Sequence, residues 1–163
     1  MAKSQTAEFI RPPNTLKVKV GGDGKIDLDA IARAEKALEA LSDQFSDWLA
    51  EEVDRLRAAR AEIKAKGVSE ETMGVLQLAA HDLKGLGTTY NFPMVTEIAG
   101  SLCTLLEQAP DRTRVPLGMV DAHVDAIRAV VRDEIRETDH PIGSLLLKEL
   151  QTNVRTLIDE LTG

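Results

Sequence analysis

Apolar positions recur at helical intervals from about residue 27 to the end of the chain. The first stripe is Ile31, Ala34, Leu38, Leu41, Phe45, Trp48, Leu49, Val53, Leu56 and Ile63. It predicts a long helix from Asp27 or Asp29 to about Lys66, stopped by Gly67 and flanked along one face by an antiparallel partner. Ser69 then caps a second helix, with Glu70 and Glu71 at its positive end. That helix carries Leu76, Ala79, Leu83, Leu86 and Tyr90 on one side. It ends near Asn91, a residue that tolerates the left-handed conformation. Pro93 fits the first turn of a third helix, which runs through Val95, Ile98, Leu102, Leu105 and Leu106 to Gln108.

A fourth helix is predicted from about Pro116 to Thr138, with Val120, Val124, Ile127, Val130, Val131 and Ile135 as its stripe. Asp139-His140-Pro141 breaks it, because the residue before a proline is driven from the helical region. The fifth helix places Leu147, Leu150, Val154, Leu157 and Leu161 at heptad spacing, read as core in preference to a dimer seam; a monomer is expected. Residues 1–26 do not follow this pattern. Arg11-Pro12-Pro13-Asn14 forbids helix, and Leu16 to Val20 alternates like a short extended arm. The expectation is an all-α fold: an antiparallel up-down four-helix bundle over 27–138, an extended N-terminal arm over 1–26, and an additional C-terminal helix over 139–163 packed on or near the bundle.

The second helix also carries the candidate chemistry. At about 100° per residue, His81 falls opposite the apolar stripe, with Gln77, Lys84, Gly85 and Thr88 on its side and Gly74 and Leu78 continuing the outer face. A glycine inside a helix costs about 1 kcal/mol against alanine, so the space beside His81 is kept open for a reason. Histidine has an ordinary pKa of about 6.5, and its neutral imidazole is a competent nucleophile at pH 7. Lys84, one turn on, supplies a point charge that would neutralise a phosphoryl group on the ring. Thr88 offers a hydroxyl one turn further. An exposed Leu78 suits a docking patch with an apolar centre. Asp82 points about a quarter-turn from His81, which argues against a His–Asp catalytic pair.

His81-Asp82-Leu83-Lys84-Gly85 resembles the H-x-L-K-G signature of histidine-phosphotransfer (HPt) domains, and Ile98 to Glu107 is similar to the helix that follows the active-site helix in that family. The likeness covers about thirty residues. It implies the same four-helix core, with His81 as phosphoacceptor, Lys84 stabilising the phosphate charge, and Gly74, Gln77, Leu78, Gly85 and Thr88 on the docking face. The implied partners are response-regulator receiver domains and a hybrid sensor kinase. The chain would bring no cofactor of its own, the Mg²⁺ residing on the receiver. Leu86-Gly87 departs from the family, which often has small polar residues there. The alternative weighed against relay is a non-catalytic bundle that binds or sequesters a receiver. A helical adaptor dimerising through the fifth helix ranks third.

Composition narrows the field further. Net charge is −7 from 20 basic and 27 acidic residues, which argues against nucleic acid or an anionic membrane as the main partner. Cys103 is the single cysteine, so no internal disulfide forms and a reducing, cytoplasmic setting is expected. No apolar run approaches the ~20 residues of a membrane span. The three histidines, His81, His123 and His140, lack metal-ligand spacing among themselves or with Cys103. His123 and His140 are read as surface or capping residues. No nucleotide-binding pattern is present, so a phosphotransfer carrier without kinase or ATPase activity is expected.

Overall fold

A computed structural model describes residues 27–163, and every regular element among them is helical. The arm expected over 1–26 lies outside the described residues. The elements are α1 (Leu28–Lys66), α2 (Glu70–Leu86), α3 (Pro93–Gln108), a 3₁₀ turn (Arg112–Arg114), α4 (Leu117–Arg132) and α5 (Pro141–Thr162). The chain divides into two compact units, Met1–Ala37 and Leu38–Gly163. In the described part of the first, the Asp27 carboxylate accepts from the Ala30 amide at 2.9 Å and so caps the start of α1.

The second unit is built around α3, which packs against α2, α4 and α5. Met94, Val95, Ile98, Ala99, Leu102, Cys103, Leu105 and Leu106 are all buried, leaving α3 little free surface. The other helices contribute one stripe each: Leu49, Val53, Leu56, Ala59 and Ile63 from α1, Met73, Leu76, Ala80 and Leu83 from α2, Val120, Val124, Ile127 and Val130 from α4. From α5, Leu150 and Val154 are buried and Leu147 and Leu157 are half-buried against the same core. Leu38, Leu41 and Trp48 depart from the expected stripe and are exposed. The physical reason is length: at 1.5 Å per residue α2, α3 and α4 are each only about 25 Å long. The stripe of α1 is buried in the shared core from Leu49 onward.

Specific polar contacts fix how the helices meet. Arg60 of α1, its side chain 8% exposed, forms a two-pronged pair with Asp121 of α4, Nη2 to Oδ2 at 2.6 Å. Phe45 and Trp48 of α1 form an aromatic trio with Tyr90, ring centroids 5.7 to 6.1 Å apart. Ser69 and Thr72 exchange hydrogen bonds at the start of α2 as a capping box. His140 caps α5 by accepting from the Gly143 amide at 3.3 Å.

Two helix ends differ from expectation in an instructive way. After Leu86 the chain keeps a looser helical path to Asn91, which sits at φ +62. The Phe92 amide then bonds the Gly87 carbonyl at 2.8 Å and the Asn91 amide bonds that of Thr88 at 3.1 Å, a Schellman closure. The fourth helix stops at Arg132, six residues before the predicted end, by the same closure. Ile135 bonds back to Val130 at 2.8 Å and Glu134 to Val131 at 3.3 Å, with Glu134 at φ +54. Glutamate carries no sequence signal for that conformation. It is stabilised from outside: Ile135 packs on the core, the Arg136 carbonyl accepts from Met94 at 2.9 Å, and the Arg136 guanidinium lies 4.6 Å from the Phe92 ring centroid.

Candidate functional site

The buried face of α2 consists of Thr72, Met73, Leu76, Ala80 and Leu83. Its helical opposite is the face with Gly74, Leu78, His81 and Gly85. The fold therefore turns His81 outward, with its side chain 66% exposed. Leu78, one turn earlier, is 63% exposed. A Cβ at Gly74 or Gly85 would meet nothing within 4 Å, as is also true of Gly67 and Gly118. Nothing among the described residues requires Gly74 or Gly85 to be glycine, although each weakens α2 by about 1 kcal/mol against alanine.

Lys84 is exposed and extends its stem over α3, the Cδ lying 4.0 Å from where a Cβ on Gly100 would stand. No carboxylate among the described residues pairs with it, so its charge is open to a ligand. Asp82 approaches the His81 Nδ1 to 3.9 Å, beyond hydrogen-bond reach. The tight pair of a His–Asp dyad is not formed.

Two proposed docking residues are committed to internal contacts. The Thr88 hydroxyl lies 3.0 Å from the Thr96 hydroxyl, and the Thr88 amide donates to the same oxygen at 2.8 Å. Thr88 thus ties the end of α2 to α3 and is held by that helix. The Gln77 side-chain amide oxygen accepts from Arg112, whose Nε also donates to Glu70 at 2.7 Å. Arg112 therefore fastens the 3₁₀ turn along the flank of α2, a role with no signal in the local pattern. Gly87 has a different task from Gly85. A Cβ there would lie 2.6 Å from the Thr96 Oγ1 and 2.8 Å from its amide nitrogen, so the close crossing of α2 and α3 requires glycine.

His123 corrects the sequence reading. It is fully buried on α4, neither surface nor cap. Its Nδ1 donates to the Met119 carbonyl at 2.7 Å, which leaves Nε2 to accept from the Ser101 hydroxyl at 3.0 Å. Burial holds the imidazole below its ordinary pKa, and the bond to Met119 opposes this in part. The ring is neutral and serves the core. Cys103 is also buried, and burial pushes its thiol up, against a smaller downward pull from the Lys84 charge. Among the described residues no three His, Cys, Asp or Glu side chains converge on a metal position, and no helix is long and apolar enough to cross a membrane.

Comparisons of the chain with protein-family models, with curated proteins and with solved structures return no match.

Proposed function

We propose that this chain is a phosphorelay intermediate of the HPt type, in which His81 accepts a phosphoryl group from a receiver-domain aspartyl phosphate and passes it to another receiver. The observation that carries the reading is the combination at one exposed helix face: an outward imidazole, a Lys84 one turn on that has no carboxylate partner among the described residues, and a Gly85 that no contact among them requires. Phosphoryl transfer asks for positioning and charge neutralisation in preference to covalent machinery, and this face offers both.

In the proposed step the ring nitrogen away from Asp82, Nε2, attacks phosphorus. The N–P bond forms as the P–O bond to the aspartyl carboxylate breaks. The carboxylate leaves with the electron pair of the broken bond, and the imidazole keeps its proton on Nδ1. Lys84 offsets the phosphoryl charge at the end of its flexible stem. Gly74, Leu78 and Gly85 form the face on which the receiver sits, the receiver supplying Mg²⁺. The helices α1 to α4 would form an antiparallel up-down four-helix bundle, and the protein would act in the cytoplasm as a monomer without kinase activity, serving a hybrid sensor kinase and its receivers.

The test is label transfer from a radiophosphorylated receiver domain to the wild type, His81→Gln and Lys84→Ala. The expected result is acid-labile, alkali-stable label on the wild type, none on His81→Gln, and slowed labelling of Lys84→Ala. Receivers that bind the wild type but never label it would overturn relay in favour of sequestration.

A further inference from the structure

Beside the outward face of α2 runs an open groove of about 510 Å³, walled by α3 on one side and α5 on the other, with Lys84 at its rim. Its charged lining consists of Lys84, Glu97, Arg155 and Asp159, and Gln151 adds an amide. None of the four charges is paired with another. Arg155 and Asp159 stand one turn apart on α5, yet no ion pair joins them; a cation preceding an anion at this spacing is the weaker order. Arg155 differs in this from most arginines. Among the described residues, every arginine except Arg114 and Arg155 has a carboxylate within 4.0 Å. The groove thus holds separated charges of both signs, continuous with the lysine next to the candidate phosphoacceptor.

Resting on the phosphotransfer reading, we propose that α5 extends the docking surface, and that the groove receives a polypeptide segment of the receiver. The segment places an acidic side chain opposite Arg155 and a basic one toward Asp159 and Glu97. A small anion alone would match only Lys84 and Arg155 and would leave the two carboxylates facing it. A segment bearing both signs matches all four. The C-terminal helix then acts as a selectivity element: His81 and Lys84 perform the transfer, and Arg155 selects which receiver settles long enough for it to occur. Charges placed this way act mainly on encounter and register.

The experiment uses the full chain with two phosphodonors. Phosphoramidate is a small donor that needs no docking, and a phosphorylated receiver domain needs it. Wild type, Arg155→Glu, Arg155→Lys and a control on α4, Arg132→Glu, are compared for labelling rate, with circular dichroism confirming equal folding. Arg155→Glu is expected to lower kcat/KM for receiver transfer by about tenfold at low salt. The deficit should shrink at 0.5 M salt, where the screening length falls to about 4 Å. Phosphoramidate labelling should be unchanged, and Arg155→Lys and Arg132→Glu should transfer near the wild-type rate. Arg155→Glu transferring like wild type, while His81→Gln takes no label, would overturn the groove and leave the relay standing. An equal loss with both donors would also overturn it, because Arg155 would then act on the chemistry at His81. Wild type labelled by phosphoramidate but by no receiver would remove the relay reading and the groove proposal with it.

Discussion

The Nε2 of His123 lies 3.0 Å from the Oγ of Ser101, joining α4 to α3 inside the core across 22 residues of sequence. Burial favours the neutral imidazole, and that makes stability depend on pH. The unfolded imidazole titrates near about 6.5. Burial holds the folded one lower, so between the two values the unfolded chain binds the extra proton. This contribution is complete above about pH 6.5 and is lost as pH falls from there through the folded value, at no more than about 1.4 kcal/mol per pH unit. The urea midpoint of the wild type should fall between pH 7.5 and 5.5. His123→Gln should be less stable by about 1–3 kcal/mol at pH 7.5 and show a flatter profile. An equally steep profile in the variant would assign the dependence to other groups.

Gly85 and Gly87 are predicted to respond in opposite directions to the same substitution. Gly85→Ala adds a methyl where nothing lies within 4 Å, so thermal unfolding should shift upward by about 0.5–1 kcal/mol of stability. Transfer from a receiver should slow. Gly87→Ala drives a methyl against the Thr96 backbone and should cost about 1–3 kcal/mol. Equal melting shifts for the two would contradict the assignment of one glycine to the partner and the other to packing.

The Arg60–Asp121 pair should be asymmetric. Asp121→Ala leaves a guanidinium buried without its carboxylate, and Arg60 Nη1 already has no hydrogen-bond partner. A loss of about 1–3 kcal/mol is expected, below the figure for a fully buried pair because Asp121 is itself 41% exposed. Arg60→Met removes the charge that needs compensation and should cost less. Chemical denaturation of both variants gives the comparison, and a larger loss for Arg60→Met would reverse the argument.

Cys103 should resist thiol reagents in the folded protein, since burial both shields it and raises its pKa. Reaction with a chromogenic disulfide at pH 8 should be slow in buffer and complete within minutes in 6 M urea. Rapid labelling of the native chain would mean that α3 opens readily.

Much of the fold was written locally. The 3.6-residue spacing, Ser69, Pro93, Gly67 and the His140-Pro141 step lie within a few residues of the boundaries they set, and α1, α3 and α5 begin and end close to where those signals fall. The outward placement of His81 and Lys84 was equally legible, because both faces of α2 follow from one stripe. The early stop of α4 was not. Glu134 adopts its left-handed conformation where the Arg136 carbonyl accepts from Met94 of α3 and the Arg136 guanidinium lies over Phe92.

The sequence by itself determined the helices, their order and the exposed imidazole, since dihedral preference and amphipathic spacing are properties of neighbouring residues. Tertiary structure alone decided that His123 is buried, that Thr88 is held by Thr96, that Leu38 and Leu41 of the α1 stripe are exposed, and that Arg155 shares a groove with Lys84. Each depends on which helix covers which face. The joining contacts show the reach required, as with the 61 residues of chain between Arg60 and Asp121. Burial and pairing are set at that range, where packing and desolvation outweigh any preference carried by a residue and its neighbours.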